Sequence, residues 1–356
     1  MACNERIVHD RVGASPKSAL PRGFAPIAII PCPAATISGG PEALHQLCDA
    51  LRARAVDAKL VYYPTTSGGH AVPTPYRHYN VAVAPCMVDE PGSLVVLSEV
   101  ITSLAWKFQH ARRAIWWLSV DNYFKWQHIN PGPSILDPTA ALVHLCQSHY
   151  AWAFLTHHQM RSPMMLTDYI TEDVFVGEQA PPPSGRLPIV TFNPKKGIET
   201  TRLLMARGGD DQVWLPLEGM DRADIAEILR HARIYVDFGG HPGRDRIPRE
   251  AAMCGAVVIT GRRGSAAFVD DVPLPARFRL DEQAPGFATA AAALIADLLR
   301  SDAAFDEASA QQRPYRDWIA GNRAAFLAEV DGFIDTMELR EPSPLLTTRD
   351  LQHDPC

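Results

Sequence analysis

Short apolar runs alternate with amphipathic segments along most of the chain. The run FAPIAIIPCPA, at residues 24–34, is continuous enough to predict a buried strand. The following segment, ISGGPEALHQLCDALRARA, predicts a helix, because its apolar positions recur on one helical face and Pro41 suits a first helical turn. Those apolar positions are Leu44, Leu47, Cys48 and Leu51. With the strand DAKLVYYP behind the helix, this order predicts a parallel βαβ unit.

The alternation continues to about residue 170 and resumes after a stretch rich in proline. In the first half, YNVAVAP, SLVVLSEV and RAIWWLSV predict strands, and TSLAWKFQHA predicts a helix. ALVHLCQSHYAWAFLTHHQ predicts a helix followed by a strand, and PMMLTDYI closes this half. The stretch GEQAPPPSGRLP has three consecutive prolines and predicts a linker.

The second half restarts the same order of strands and helices. PIVTFNP, QVWLPLEG, ARIYVDFGG and GAVVITG predict strands. The predicted helices lie at 198–206, at DRADIAEILRHA with Asp221 as its N-cap, from about Pro248, at 288–299 and at 315–336. We therefore predict an α/β fold with two Rossmann-like domains, whose mainly parallel sheets face a central cleft.

The length of 356 residues agrees with two domains. In chain order, the predicted segments are a flexible leader 1–24, an N-terminal domain 25–180, a linker 181–188, a C-terminal domain 189–339 that includes the C-terminal helices, and a flexible tail 340–356.

Composition removes several classes of function. The formal net charge of -6 argues against nucleic acid as a partner. The sequence contains no apolar run long enough to span a bilayer, and the first residues lack the apolar core of a secretory signal. Seven scattered cysteines without a CxxC pair indicate free thiols in a reducing compartment. We expect a cytoplasmic protein.

The most unusual polar segment is the turn in DFGGHPGRDRIPREAAMCGAVVITG, at residues 237–261. It joins a predicted strand to a helix, and ligands of open parallel sheets bind at such turns. Its glycines and the helix N-terminus favour an anion, and arginine has the bidentate geometry that suits phosphate. The turn therefore predicts a nucleotide site, and the alternative is a solvated turn with local Arg–Asp pairs. The residues proposed to bind are Arg244, Arg246, Arg249 and Glu250.

Two further turns of the second half repeat this pattern. TFNPKKGIETTRLL places Lys195 and Lys196 before Gly197, at the end of a predicted strand. TGRRGSAAF offers the amides of Gly264 and Ser265 beside two arginines. Such short motifs recur by chance in unrelated chains. Three of them at one edge of a sheet predict a shared phosphate site.

The second half resembles the donor-binding half of bacterial GT-B glycosyltransferases of the polysaccharide-biosynthesis type, which are related to the large retaining group. The resemblance rests on NPKKG, LPLEGMDRADIAEILRHARIYVDFG and HPGRDRIPREAAMCGAVVITGRRGSA. It covers about residues 25–335 and is strongest at 190–270.

This resemblance implies roles for individual residues. Lys196, with Lys195 beside it, would contact the diphosphate of a nucleotide sugar, and Glu250 would hold its ribose. The loop LPLEGM would lie beside the nucleobase. The N-terminal domain would bind the acceptor, and its turn ISGGPEAL, with Gly39 and Gly40, would lie near the donor phosphates.

The chain departs from the family pattern at one position. Many retaining relatives carry two glutamates seven residues apart, and counting back from Glu250 leads to Pro242. Either this subgroup lacks the first carboxylate, or Asp245 or His241 takes its place, so the stereochemical outcome is open. Such enzymes need no metal, because side chains and helix ends stabilise the leaving diphosphate. We expect no metal and no cofactor besides the nucleotide sugar.

An acceptor hydroxyl needs a base or a donor-phosphate oxygen nearby. The candidates are Asp121, directly after WWLSV, and Glu99, His70 and His78. A turn or helix cap is the alternative for Asp121. Trp116 and Trp117 alternate along a strand, so one of them should face the core, and the pair at 157–158 belongs to a polar loop.

These features favour a glycosyltransferase that moves a sugar from a nucleotide sugar to a glycan or a lipid-linked acceptor in bacterial surface polysaccharide synthesis. Its partners would be the nucleotide sugar and that acceptor, and a peripheral contact with the inner face of the cytoplasmic membrane is left open. The alternatives are a nucleotide-sugar epimerase or hydrolase and a non-catalytic nucleotide- or glycan-binding subunit. A dehydrogenase is disfavoured, since G-x-G-x-x-G follows neither first strand.

Overall fold

The computed structural model describes residues 7–8, 27–64, 71–129, 132–171, 175, 185–209 and 211–339. Within it the chain forms two compact units. The first unit comprises the described residues of Met1–Leu97, Leu104–Ala114 and Ala328–Cys356, and the second those of Ser98–Ser103 and Ile115–Leu327. The domain bounds drawn from the sequence stay predictions.

The first unit contains the βαβ arrangement expected from the N-terminal pattern. Strand β2 (Ile27–Pro33) leads through helix α1 (Gly39–Arg52) to β3 (Asp57–Tyr63), and the two strands are parallel. The predicted apolar face of α1 is fully buried, from Leu44 to Leu51. The βαβ prediction is thus confirmed, because the helix covers the sheet with its one apolar stripe.

Short strands complete this unit. Strand β1 (Ile7–Val8) pairs in parallel with β5 (Met87–Val88), so two residues of the predicted leader lie in a strand. Strand β4 (Ala82–Val83) pairs with β3, and β6 (Leu94–Ser98) pairs with β2. The remaining residues of the predicted leader, linker 181–184 and tail lie outside the described residues.

The described residues form two larger sheets, and the strand pairs identified in both are parallel. One has the order β4-β3-β2-β6-β7-β8-β9, where β7 is Arg112–Trp117, β8 is Val143–Cys146 and β9 is Met164–Met165. Trp116 and Trp117 of β7 are both fully buried. One of them was expected to face the core, and both do, because both faces of this central strand are covered.

The segment after residue 140 corrects a second expectation. It forms the strand β8 first and the helix α3 (His149–His157) afterwards, the reverse of the predicted order. The helix begins where the Ser148 side chain accepts a hydrogen bond from the Ala151 amide at 3.1 Å. The preceding helix, α2 (Val120–Ile129), follows β7 directly. The predicted helix near residue 103 consists of 3-10 turns over Glu99–Lys107, with a kink at Ile101.

The second sheet has the order β11-β10-β12-β13. Its strands and helices are β10 (Leu187–Phe192), α4 (Ile198–Met205), β11 (Val213–Pro216), α5 (Arg222–His231), β12 (Ala232–Asp237), α6 (Arg246–Met253) and β13 (Val257–Thr260). All were predicted, although α6 begins two residues before Pro248. The Asp221 N-cap is confirmed by a 2.9 Å hydrogen bond from the Asp224 amide.

Three helices follow this sheet in the chain: α7 (Phe287–Arg300), α8 (Asp302–Gln311) and α9 (Arg313–Thr336). The sequence predicted α7 and α9 but missed α8, which buries only Phe305 and Ala308. A single-turn apolar signal of that kind is too weak to separate a helix from a loop. In the described part of the chain, no helix is both long and apolar enough to cross a bilayer.

Strand register brings the predicted turns to one edge of the second sheet. Phe192 at the end of β10 is level with Val236, and Asp237 at the end of β12 is level with Thr260 of β13. Parallel strands end at the same edge, so the turns after β10, β12 and β13 all begin there. The core beneath them, which includes Val190, Ile234 and Val258, is fully buried.

Candidate functional site

Glycines allow the three turns to meet closely. Gly197 has a φ of +57°, and a Cβ atom there would lie 2.5 Å from the Phe238 carbonyl carbon. Gly264 has a φ of +55°, and a Cβ atom there would overlap the His241 carbonyl oxygen. That oxygen accepts a hydrogen bond of 2.8 Å from the Ser265 amide. The structure thus brings the three predicted turns together, and only glycine fits these two contact points.

Lys196 lies where the first of these turns meets the second. Its ammonium is 2.5 Å from Oδ2 of Asp245, and 28% of its side chain is exposed. A Cβ atom on Gly239 would lie 2.6 Å from the Lys196 Cβ, so the backbone of the second turn passes directly against this lysine. Lys195 is exposed, and its amide donates to the Asn193 side chain. The lysine in contact with the other turns is therefore Lys196.

A chain of ion pairs continues inward from Lys196. The Nδ1 atom of His241 is 3.0 Å from Asp245 Oδ2, and its Nε2 atom is 3.6 Å from Asp237 Oδ1. Burial by itself lowers the pKa of His241, but the two carboxylates outweigh it and the pKa is raised. Burial raises the pKa of Asp245, whereas His241 and Lys196 lower it, and the net shift is downward. The interior of the site thus favours an imidazolium between two carboxylates.

One group of described residues combines the ligand types of a metal site. Oxygen or nitrogen atoms of Asp237, His241 and Asp245 lie within 4.8 Å of one another. The two carboxylates, however, approach opposite nitrogens of the imidazole ring, and the Lys196 ammonium occupies the outer side of Asp245. In the structure these three side chains are engaged with one another and with Lys196 as a chain of ion pairs.

The arginines of the second turn surround a carboxylate that lies outside the predicted site motifs. Asp168 is fully buried, and both of its oxygens accept from the Arg249 guanidinium, at 2.9 and 2.8 Å. Arg246 lies 3.6 Å from the same carboxylate. Arg244 donates to the Asp168 carbonyl at 3.5 Å and to Asn322 at 2.8 Å. Burial raises the pKa of Asp168, but the charges of Arg249, Arg244 and Arg246 lower the pKa by more than burial raises it. The net shift is downward, so the carboxyl stays ionised.

This network corrects two predicted roles. Arg249 was expected to bind phosphate, but only 2% of its side chain is exposed and its donors are used by Asp168, Asp245 and the Arg244 carbonyl. Arg244 is also buried, and its guanidinium lies 4.7 Å from the centre of the Trp318 ring. Both arginines therefore stabilise the turn from within. An acid inside the apolar run PMMLTDYI was the available sign of a buried ion pair.

The other predicted donor ligands are also largely buried. Arg246 and Glu250 lie 3.4 Å apart, with about a tenth of each side chain exposed. Ser265 is fully buried, and its hydroxyl donates to the Gly243 carbonyl at 2.6 Å, so its predicted donor-binding role is corrected to a bond within the turn. The arginines of the third turn face away: Arg263 pairs with Glu282, and Arg262 donates to the Arg279 carbonyl.

Asp121 is placed beside the second turn. A Cβ atom on Gly240 would lie 3.8 Å from its Oδ2 atom, and the neighbouring Val120 amide donates to the Pro242 carbonyl at 2.8 Å. Ser119 caps the helix by accepting from the Asn122 amide at 3.2 Å, so capping is not the role of Asp121. Its carboxylate is in the first turn of α2, where the helix dipole favours negative charge.

A tyrosine orients this carboxylate. The Tyr150 hydroxyl donates to Asp121 Oδ1 at 2.9 Å. Tyr150 is fixed at the start of α3, because Asp271 accepts from its amide at 3.0 Å and from the His149 amide at 2.8 Å. Burial and then the Asp121 carboxylate raise the pKa of Tyr150 to about 12, so the hydroxyl keeps its proton at neutral pH.

The remaining acceptor-side candidates lie elsewhere. Glu99 is buried, accepts from the Leu118 amide at 3.0 Å, and supports the loop that leads to Asp121. Burial raises its pKa to about 8, so it is not available as an exposed base. His78 is in the first unit, exposed and against Tyr79, and His70 lies outside the described residues.

Gly39 and Gly40 open α1 in the first unit, which we describe by itself. The pair at 157–158 stands at the end of α3 and not in a loop: His157 is its last residue and His158 its C-cap. The predicted residues that the structure brings together in the second unit are therefore Lys196, Gly197, His241, Asp245, Gly264 and Asp121.

Comparison with solved structures identifies the fold. Sucrose-phosphate synthase from Thermosynechococcus elongatus is similar over 88% of this chain and 99% of its own, with a TM-score of 0.63 and 15% identity. Anabaena HepE in complex with UDP-glucose is similar over 87% and 99%, with a TM-score of 0.60 and 11% identity. WaaG, a glycosyltransferase of lipopolysaccharide biosynthesis, is similar over 87% and 99%, with a TM-score of 0.57 and 10% identity. No protein-family model and no curated protein sequence matches the chain.

The chain has the GT-B fold. These neighbours are built from two Rossmann-like domains, and the predicted fold class of helices on mainly parallel sheets is confirmed. At such low identity the likeness concerns the fold, and the chemistry has to be argued from this chain's own residues.

Proposed function

We propose that this chain is a glycosyltransferase that takes a sugar from a nucleoside diphosphate sugar. The observation that carries the proposal is the position of Lys196, a half-exposed ammonium where two glycine turns meet at the carboxyl edge of a parallel sheet. Such an edge is where ligands of open α/β sheets bind. The nearby N-terminus of α6 adds the partial positive charge that favours phosphate.

This arrangement suits a departing diphosphate. As the bond between sugar and phosphate loosens, negative charge grows on the diphosphate, and a preformed positive site lowers the barrier. Lys196 supplies the exposed charge, and Arg246 and Glu250, each about a tenth exposed, pair with each other on α6. The Glu250 carboxylate would accept from the ribose hydroxyls of the donor. The charges of the protein can meet this demand without a metal, so we expect turnover to persist in a chelator.

Asp121 is the proposed acceptor base. It lies beside Gly240 of the same turn, and Tyr150 holds one of its oxygens while the other faces Gly240. A carboxylate so placed can take the proton of an acceptor hydroxyl as the sugar is transferred. The expected acceptor is a glycan or a lipid-linked glycan of bacterial surface polysaccharide synthesis.

The surface beyond Asp121 favours an acceptor with an apolar part. Along α2, the side chains of Phe124, Trp126 and Ile129 are 48%, 42% and 63% exposed. The Phe124 ring packs edge-on against Phe154 of α3. Aromatic side chains beside Lys125 and His128 are typical of contacts with a membrane interface. We therefore extend the proposal to a peripheral membrane contact. Sedimentation with anionic vesicles tests it by comparing the Phe124→Ser variant with a control substitution at the exposed Val269.

Calorimetric titration with UDP tests the donor site. The parent chain should bind UDP, and Lys196→Ala should bind it at least about tenfold more weakly, because a charged hydrogen bond is lost. Lys195→Ala is the matched control, because Lys195 is the neighbouring residue, carries the same charge and is exposed. This variant should change the affinity for UDP less than Lys196→Ala does. Equal affinity of a folded Lys196→Ala variant and the parent would contradict the proposal.

The alternatives are separated by turnover. Asp121→Asn should keep UDP affinity and lose transfer to the acceptor by at least about a hundredfold. Rapid hydrolysis or epimerisation of a nucleotide sugar without acceptor would favour the hydrolase or epimerase, and binding without any turnover would favour a non-catalytic subunit.

A further inference from the structure

Asp245 is shared by two cationic side chains of different exposure. Its Oδ2 atom is 2.5 Å from Lys196 Nζ and 3.0 Å from His241 Nδ1. The lysine side chain is 28% exposed, whereas the histidine side chain is 1% exposed. The lysine thus stands on the solvent side of the carboxylate and the histidine on the protein side.

A bound diphosphate makes a demand on this pair. In the proposed function Lys196 turns to the donor, and it then gives up part of its contact with Asp245. A carboxylate that is only 16% exposed and loses its counter-ion is strongly destabilised. Another cation has to stay at Asp245 for the lysine to move at low cost.

His241 is built into the turn to do this. Its backbone is fixed, because the His241 carbonyl accepts from the Ser265 amide at 2.8 Å, and Asp237 Oδ1 lies at an ion-pair distance of 3.6 Å from the ring Nε2, which has no hydrogen-bond partner among the described residues. Asp237 is itself held by the Tyr235 hydroxyl at 3.1 Å and by the Gly239 amide at 3.2 Å. Neither of these contacts of His241 involves Lys196.

We propose that His241 is a positioning residue whose imidazolium keeps Asp245 paired while Lys196 turns to the donor diphosphate, so that donor binding is coupled to protonation of His241. This proposal rests on the proposed function. It adds that the Asp245 carboxylate keeps a cationic partner when the donor binds.

The sign of the coupling follows from the surrounding charges. Asp237 at the end of β12 and Asp245 before α6 favour the protonated ring, and Lys196 before α4 disfavours it. Arg244, Arg249 and Asp271 line the same small cavity. When Lys196 moves toward an arriving anion, the cation that opposes protonation leaves and a negative charge comes closer. The donor therefore binds more tightly when His241 is protonated, and affinity falls as pH rises above the pKa of His241.

Proton uptake can be measured directly. UDP-glucose is the probe, because its diphosphate is esterified on both sides and keeps its charge near neutral pH. We would titrate it into the full chain between about pH 6 and pH 9, in buffers with different enthalpies of ionisation. The parent should take up as much as about one proton and lose affinity with rising pH, approaching tenfold per pH unit. His241→Asn should show neither effect, and the control His231→Asn, on the exposed end of α5, should show both.

A second variant keeps the ring in place. Asp237→Asn removes one of the two anions that favour the imidazolium, so the pH at which affinity begins to fall should be lower than in the parent. Binding of UDP-glucose by the parent without proton uptake, and with the same pH profile in His241→Asn, would overturn the inference and leave the proposed donor site standing. Failure of the parent to bind any nucleotide sugar would instead overturn the proposed function and the inference with it.

Discussion

Basic residues lie beside glycine at the end of a buried strand both in the turn before α4 (the lysine turn) and in the turn before α6 (the arginine turn). The basic side chains of the two turns nevertheless have different environments. Lys196 keeps 28% of its side chain exposed, whereas Arg249 keeps 2%. This difference in exposure comes from Asp168, whose buried carboxylate accepts hydrogen bonds from the Arg249 guanidinium. The number of positive charges in a turn therefore does not tell how many of them can reach a ligand.

The chemistry of the two cations explains which one is buried. Guanidinium is planar and weakly hydrated, and it can satisfy a buried carboxylate through two parallel hydrogen bonds. The lysine ammonium is compact and strongly hydrated, so it remains partly exposed to solvent. The arginine turn is therefore held from within by buried ion pairs, whereas the lysine turn keeps a partly exposed charge.

The largest expected effect is the loss of the anion that the arginines share. Asp168→Ala should lower the free energy of unfolding by about 3–5 kcal/mol, because Arg249 and Arg244 would remain buried without that charge. Urea unfolding at neutral pH measures it, and the exposed Asp270 supplies the control, Asp270→Ala, expected within about 0.5 kcal/mol of the parent. Similar small losses in both variants would mean that Asp168 does not hold the arginine turn.

The next effect concerns the close approach of the lysine turn. Gly197→Ala should cost about 2–4 kcal/mol of unfolding free energy, since it adds a left-handed penalty to an overlap with the Phe238 backbone. Gly219→Ala isolates the first part, because Gly219 has a φ of +70° with no atom within 4 Å of the added Cβ, and it should cost about 1 kcal/mol. Equal costs at the two positions would show that the turns do not need to touch.

The smallest effect is a pH dependence behind the arginine turn. Burial raises the pKa of Glu99 to about 8, above its unfolded value, so its contribution to stability is complete below about pH 4 and is lost as pH rises through about 8. Between about pH 5 and pH 8 the parent should lose at least about 1 kcal/mol more unfolding free energy than Glu99→Gln. Parallel pH profiles of the two proteins would contradict an uncharged Glu99.

The pKa of Asp168 is shifted in the opposite direction to that of Glu99, so the same pH-dependent unfolding measurement can distinguish the two acids. Its pKa is lowered in the folded chain, so its stabilisation is present above the unfolded value of about 4 and is lost as pH falls through the folded value. Unfolding at low pH should therefore depend on Asp168 and unfolding near neutral pH on Glu99. The pH of unfolding therefore distinguishes the contribution of Asp168, which pairs with Arg249, from that of Glu99, which accepts from the Leu118 amide.

Much of the fold was predictable because its signals are local. The apolar face of α1, the Asp221 cap and the βα alternation of 187–260 each lie within a few residues of one another. The reversed order of strand and helix at 141–159 shows the limit, since VHLC and AWAFL are both short apolar runs and periodicity does not separate them. The contact between the turn before α4 and the turn before α6 was also predictable, because parallel strands end at one sheet edge.

The sequence by itself determined the strands, their turns and the edge at which those turns gather, since each depends on neighbours in the chain. Only the tertiary structure decided which charges remain at that edge. Asp168 is 81 residues from Arg249 and Asn322 is 78 residues from Arg244, and no local pattern connects them. Burial of a charge requires a partner within a few ångströms, and that distance is set by how distant segments pack.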